Sequence, residues 1–269
     1  MPGFATHKIN LKEIAPEPIT HKTKIIEIIG PPGIGKSTFY QALCKSWSTR
    51  SNWVYQNKLL APSKPKLAEF NAWLRYEART FLHKNETKDI PVDYGLRFVD
   101  RHKELAQFFW DRLSGIQLCM GEEIDKCFRS AYFLFKDFCR YQAIAESSCS
   151  KPCMIDEGFL QKSFLIHNDE KFMTDIVNEY ILLLPLPYSV IYINTTDVNI
   201  IVERICNRKK IIASHFGKDA TALIANTEKW QQLFKIIIEK LRLNNIPVYC
   251  IDGEKPIEEN VRFINAVLN

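Results

Sequence analysis

Gly30-Pro31-Pro32-Gly33-Ile34-Gly35-Lys36-Ser37 fits the pattern G-x-x-x-x-G-K-[ST] at every fixed position. It follows Ile25-Ile26-Glu27-Ile28-Ile29, a β-branched run, and precedes a helical stretch from Ser37 to Trp47. Glycines let a backbone curl into a nest of inward N–H groups, and the following helix adds the positive end of its dipole. In that arrangement Gly30, Pro31, Pro32, Gly33, Ile34, Gly35, Lys36, Ser37 and Thr38 would surround a triphosphate. Lys36 would reach the β- and γ-phosphates and Ser37 would hold Mg²⁺. The bland alternative is an ordinary glycine turn. The strand before it and the helix after it favour nucleoside triphosphate binding.

The chain has 269 residues, 46% of them apolar, enough for one α/β domain with insertions and too apolar for global disorder. A net charge of +5 is mild and demands no nucleic-acid partner. None of the eight cysteines forms a C-x-x-C pair; Cys149 and Cys153 lie four apart with no histidine nearby, so reduced thiols are expected rather than zinc. The first ten residues lack the apolar stretch of a secretion signal. The longest uncharged run, Tyr180 to Thr196, is broken by Pro185 and Pro187 and reads as a helix end and a strand, not a membrane span. A cytoplasmic location is expected.

Residues 1–22 read as an arm and 23–269 as one domain. A weak strand signal at Trp53-Val54-Tyr55 precedes a helical region at about 60–147. Its last helix, Ile124 to Ala145, is apolar around much of its circumference and predicts a buried aromatic core of Phe128, Tyr132, Phe133, Phe135, Phe138 and Tyr141. Cys153-Met154-Ile155-Asp156 predicts a strand, 159–183 helical character, and Val190 to Ile193 another strand. A helix from Val198 to about Lys210 follows, then one capped by Thr227, a strand at 246–251 and a helix opened by Pro256. Alternation of this kind predicts a parallel sheet covered on both faces.

Asp156 ends its strand where α/β sheets present groups to ligands, so it is the candidate for Mg²⁺ binding or proton acceptance; capping the next helix is the alternative. Gly158 would let the chain turn into the site. Glu157 would either hold a metal-bound water or face solvent.

Val190 to Asp197, followed by Val202-Glu203-Arg204-Ile205-Cys206-Asn207-Arg208, resembles the nucleoside monophosphate kinase branch of the P-loop proteins, thymidylate kinase above all. Ile251-Asp252-Gly253 with Pro256-Ile257 is similar to that family's last strand and helix, whose connecting loop lies near the nucleotide base. The resemblance covers 24–47 and about 150–269. It implies a three-layer α/β/α P-loop NTPase fold with about five parallel strands and a helical insertion. It also implies ATP or another nucleoside triphosphate with Mg²⁺ as cofactors, and a lid at about 204–222. Arg204 and Arg208 match the lid arginines, which together with Lys36 and Asp156 make the catalytic set; guanidinium forks suit the charge of a transferring phosphoryl group. Arg204 and Arg208 could equally lie solvated on one helix face. Two departures stand out. Asp156 is followed by Glu157, not by arginine, and no acid occurs between Ile28 and Leu67, where deoxynucleoside kinases place a glutamate after strand 2.

That acid-free stretch carries Lys36, Lys45, Arg50, Lys58, Lys64 and Lys66, which favours an anionic acceptor. Arg97, Arg101 and Arg140 are candidate clamps for it. The expected function is phosphotransfer from a nucleoside triphosphate to a small anionic acceptor such as a nucleotide or other phosphorylated metabolite, with a homodimer as one possible assembly. The alternatives are a polynucleotide or toxin-like kinase and an ATP-hydrolysing NTPase. Nucleic-acid binding is disfavoured by the mild charge.

Overall fold

The computed structural model describes residues 23–61, 66–81, 90–114, 124–166, 173–208 and 219–269. The arm at 1–22 and most of the lid segment, 209–218, lie outside the described residues.

Five strands form one sheet: β1 (Ile25–Ile29), β2 (Val54–Tyr55), β3 (Cys153–Ile155), β4 (Ser189–Asn194) and β5 (Val248–Asp252). Their spatial order is β2-β3-β1-β4-β5, with every pairing parallel. All five residues of β1 are buried. A parallel sheet covered on both faces demands this, and it explains the largely apolar reading of strands β1, β3 and β4, Glu27 being the one charge among them.

Alternating residues serve opposite faces. Ile25, Ile29, Cys153, Ile155, Val190 and Tyr192 pack against α4 (Val92–Arg101), α5 (Lys103–Ser114), α6 (Ile124–Ala145), α7 (Met173–Leu183) and α9 (Ala220–Leu243). Ile26, Ile28, Met154, Ile191 and Ile193 pack against α1 (Lys36–Ser46), α8 (Val198–Cys206) and α10 (Ile257–Leu268). The three-layer α/β/α architecture expected from the sequence is the one observed. Among the described residues between β2 and α4 lie the one-turn helix α2 (Gln56–Leu59) and the longer α3 (Phe70–Phe81).

Four local expectations are corrected or refined. Helix α9 begins at Ala220, where the Asp219 side chain accepts from Ala222 N at 2.8 Å; Thr227 is buried inside it, bonded to Leu223 O. The 159–183 stretch is not one helix: a 3-10 segment, Gln161–Ile166, precedes α7. Strand β5 starts at Val248, because Pro247 has no N–H and gives the sheet only its carbonyl, to Val190 N. Of the α6 aromatics, Phe138 and Tyr141 are buried, but Phe128, Tyr132 and Phe133 are exposed. Among the described residues no helix is long and apolar enough to cross a membrane.

Strand β1 lies between β3 and β4: the chain leaves it toward the β2–β3 side, and the later connection from β3 to β4 crosses to its other side. A cleft opens there at the carboxyl ends of the strands. The loop after β1, Asp156 after β3 and Thr195 after β4 all lie at that end.

Candidate active site

Helix α1 starts immediately after Gly35, whose φ of 105° is left-handed. An L side chain would be strained there, which is why the sequence places glycine before Lys36. The helix has no side-chain cap and no acid in its first turn. Its first N–H groups thus receive no side-chain cap and no acid from its own first turn, and the exposed Ser37 stands at the opening.

Lys36 is buried, and its Nζ donates to Gly30 O at 2.8 Å and Pro31 O at 3.2 Å. Burial pushes its pKa down to about 8, against the fields of Glu157 and Asp156, which favour the cation, and with that of Arg208, which opposes it. Lys36, Glu157, Asp156 and Arg208 therefore share one electrostatic neighbourhood. Burial and the adjacent Glu157 carboxylate raise the Asp156 pKa, which the Arg140 guanidinium lowers in part. Oxygen ligands from Ser37 and Asp156 suit Mg²⁺, which takes few protein groups and completes its shell with phosphate and water. Among the described residues, no group of three or more His, Cys, Asp or Glu forms a metal cluster.

The segment that carries Asp156 and Glu157 is pinned from several sides. Arg140 Nη2 donates to Glu157 O. The Tyr141 hydroxyl accepts from Phe159 N at 3.0 Å and donates to the Glu27 carboxylate, which also accepts from Leu160 N at 3.0 Å. Tyr180 Oη donates to Phe159 O at 2.6 Å, and Gln161 Oε1 accepts from Gly30 N at 3.2 Å. Gly158 is required by space: a Cβ there would stand 2.3 Å from both Glu27 Cδ and Tyr141 Oη. Beyond the turn expected of that glycine, it is the close approach of the buried Glu27 carboxyl and Tyr141 hydroxyl that requires it.

Arg140 is held on α6 by Asp137 at 2.6 Å and donates to Gln56 Oε1 at 3.2 Å; Asp137 also pairs with Lys162 at 3.3 Å. It lies beside the two acids. Arg97 and Arg101 do not: both are paired with Glu146, at 2.8 and 3.3 Å, on the exposed side of α4 and α6.

Arg204 ties two loops together, donating to Ile34 O at 3.1 Å and Gly253 O at 3.0 Å. It lines a cavity of about 360 Å³ with Arg208, Thr38, Gly253, Lys255 and Asn260. The cavity adjoins the glycine loop and the β5–α10 connection. Arg208 is exposed at the last described residue before 209–218.

Three residues escaped the sequence reading. Glu27 was visible as the one charge inside an apolar strand. Tyr141 was read only as core, and Gln161 carried no signal because its partner is a backbone N–H 131 residues away.

No family model matches the chain, and no curated protein matches it. Among solved structures the chain is similar to a deoxyadenosine kinase from M. mycoides with the products dCMP and a flexible dCDP bound, at 16% identity and a TM-score of 0.45, covering 91% of this chain and 98% of that one. It is also similar to a shikimate kinase from Bacteroides thetaiotaomicron, at 13% identity and a TM-score of 0.37, covering 91% and 97%. At these values neither likeness identifies a relative.

Proposed function

We propose that the protein is a P-loop kinase that transfers the γ-phosphoryl group of a nucleoside triphosphate, in the presence of Mg²⁺, to a small acceptor. The observation that carries this reading is the placing of three elements at the carboxyl end of a parallel sheet: the uncapped N-terminus of α1 with Lys36, the Asp156–Glu157 segment after the neighbouring strand β3, tied to Gly30 through Gln161, and Arg208 lining one cavity with Gly33, Gly35 and Thr38. An open anion site alone would bind phosphate. Two acids and a cation beside it supply a proton acceptor and a partner for the moving charge.

The nucleoside would occupy the cavity bounded by Arg204, Lys255 and Asn260, with its phosphates over Gly33 to Thr38. Lys36 would exchange its loop carbonyls for phosphate oxygens. Ser37 and Asp156 would hold Mg²⁺, which neutralises charge at the β- and γ-phosphates when bound. Asp156 would also be placed to take the acceptor's proton, and Arg208 to close over the transferring group as part of a lid. The acceptor would sit toward α2 and α6, where Arg140 Nε is buried without a hydrogen-bond partner in the described structure. A polar or anionic acceptor that supplies an oxygen to this donor fits that position.

The test is calorimetric binding of Mg·ATP, followed by γ-phosphoryl transfer screened over nucleosides, nucleotides and sugar phosphates. Lys36→Ala is expected to abolish transfer with the fold intact. Near-normal turnover by that variant would sink the reading.

A further inference from the structure

Gly30 is gripped at both of its polar backbone atoms. Its carbonyl accepts from Lys36 Nζ at 2.8 Å and its N–H donates to Gln161 Oε1 at 3.2 Å. The two grips differ in what nucleotide binding does to them. Lys36 is the group that a triphosphate must recruit: two of the three N–H donors of its ammonium are engaged by Gly30 O and Pro31 O, so contact with more than one phosphate oxygen withdraws it from a loop carbonyl. Gln161 has no such competing role. It is buried, and it sits at the end of the segment already fixed by Glu27, Tyr141, Tyr180 and Arg140.

We infer that Gln161 is a positioning residue that holds the start of the glycine loop in register with the Asp156–Glu157 segment while Lys36 changes partners; this rests on the triphosphate reading above. The side chain suits the task. A primary amide is neutral, so its oxygen accepts from Gly30 N–H without placing a negative charge beside the phosphates, as glutamate would. The bond is buried, and losing a buried acceptor leaves the Gly30 N–H unsatisfied in the centre of the site. Glycine loops owe their affinity to N–H groups already aimed at the ligand, so a loosened Gly30 raises the ordering cost of every later contact. The same bond gives the donor loop and the acid segment a common frame.

The experiment compares wild type with Gln161→Met, of similar length and without the acceptor oxygen, and with Gln161→Leu as a second apolar variant. Hydrogen exchange of the peptide spanning 28–35 is measured in the free protein, with the β4 peptide as an internal reference. Binding of Mg·ADP is measured by calorimetry. Faster exchange confined to 28–35, together with Mg·ADP binding weakened about tenfold, is expected. Exchange at wild-type rates in both variants would overturn the inference, whatever the affinity. A uniform rise in exchange that includes β4 would also overturn it, since it marks a merely structural residue. If wild type itself fails to bind Mg·ADP while the variants still loosen only 28–35, the triphosphate reading falls and the anchor stands.

Discussion

The Tyr141 hydroxyl donates a buried hydrogen bond to the Glu27 carboxylate across a separation of 114 residues, joining the central strand to helix α6. Glu27 shares the sheet face of Ile25 and Ile29, so its side chain has no route to water. Burial pushes its pKa up to about 7, although Tyr141 and the Leu160 N–H both favour the ionised form.

A raised carboxyl pKa makes the ionised form costly in the folded state. Between pH 4.5 and about 7 the folded chain holds a proton that the unfolded chain has lost. Stability from this group is thus complete below pH 4.5 and declines as pH rises through 7. Glu27→Gln removes the effect, so its stability relative to wild type is expected to rise by on the order of 3 kcal/mol over that window. Urea unfolding of both proteins at pH 4.5 to 8 measures it; a constant difference would refute the assignment.

Tyr141→Phe leaves both the Glu27 carboxylate and the Phe159 N–H short of a partner. A loss of about 1–3 kcal/mol is expected, with faster amide exchange at Phe159. Unchanged exchange there would show that Tyr141 does not hold this segment.

Gly158→Ala inserts a methyl group 2.3 Å from Tyr141 Oη and from Glu27 Cδ. The single variant is expected to lose about 3 kcal/mol. In Gly158→Ala/Tyr141→Phe the clash is partly relieved, so the two costs should fall short of additivity by at least about 0.5 kcal/mol. Strict additivity in thermal unfolding would contradict the geometry.

Lys36, held down to about pKa 8 by burial, is partly neutral in the free protein above that pH. Phosphate restores its charge, so Mg·ADP binding near pH 8 should take up protons and weaken as pH rises further. Calorimetry in two buffers of different ionisation enthalpy reads the proton count. No uptake at pH 8 would place Lys36 away from the phosphates.

Arg204→Met removes the bridge between Ile34 O and Gly253 O while keeping a long apolar stem. Mg·ADP binding is expected to fall about tenfold. Arg97→Ala, which breaks an exposed pair with Glu146 and a cation–π contact with Tyr94, should leave it unchanged.

The sheet, the glycine loop and the acid after β3 were legible because each rests on a local pattern. Glycine spacing, β-branched runs and a strand-terminal Asp156 carry their meaning within a few residues. The partner of Arg97 and Arg101 was not legible, since helical spacing gives a face and not a partner, and Glu146 is 49 residues from Arg97. Thr227 looked like a cap because Ser/Thr caps and buried Thr back-bonded to i−4 share one residue type. Gln161 and Tyr141 were illegible because their chemistry depends on contacts that exist only once the chain has closed on itself.

The grip of Tyr141 on Glu27 also bears on how the chain can be cut and recombined. The helices between β2 and β3 invite treatment as a cassette, exchangeable for those of another protein to alter acceptor choice. Removing α6, however, would take the Tyr141 hydroxyl from a carboxyl group inside the central strand and leave the segment that carries Asp156 to its remaining ties from Glu27, Tyr180 and Gln161. Any chimera must therefore travel with its own residue at position 27, or replace it with an apolar one and find another tether for Phe159.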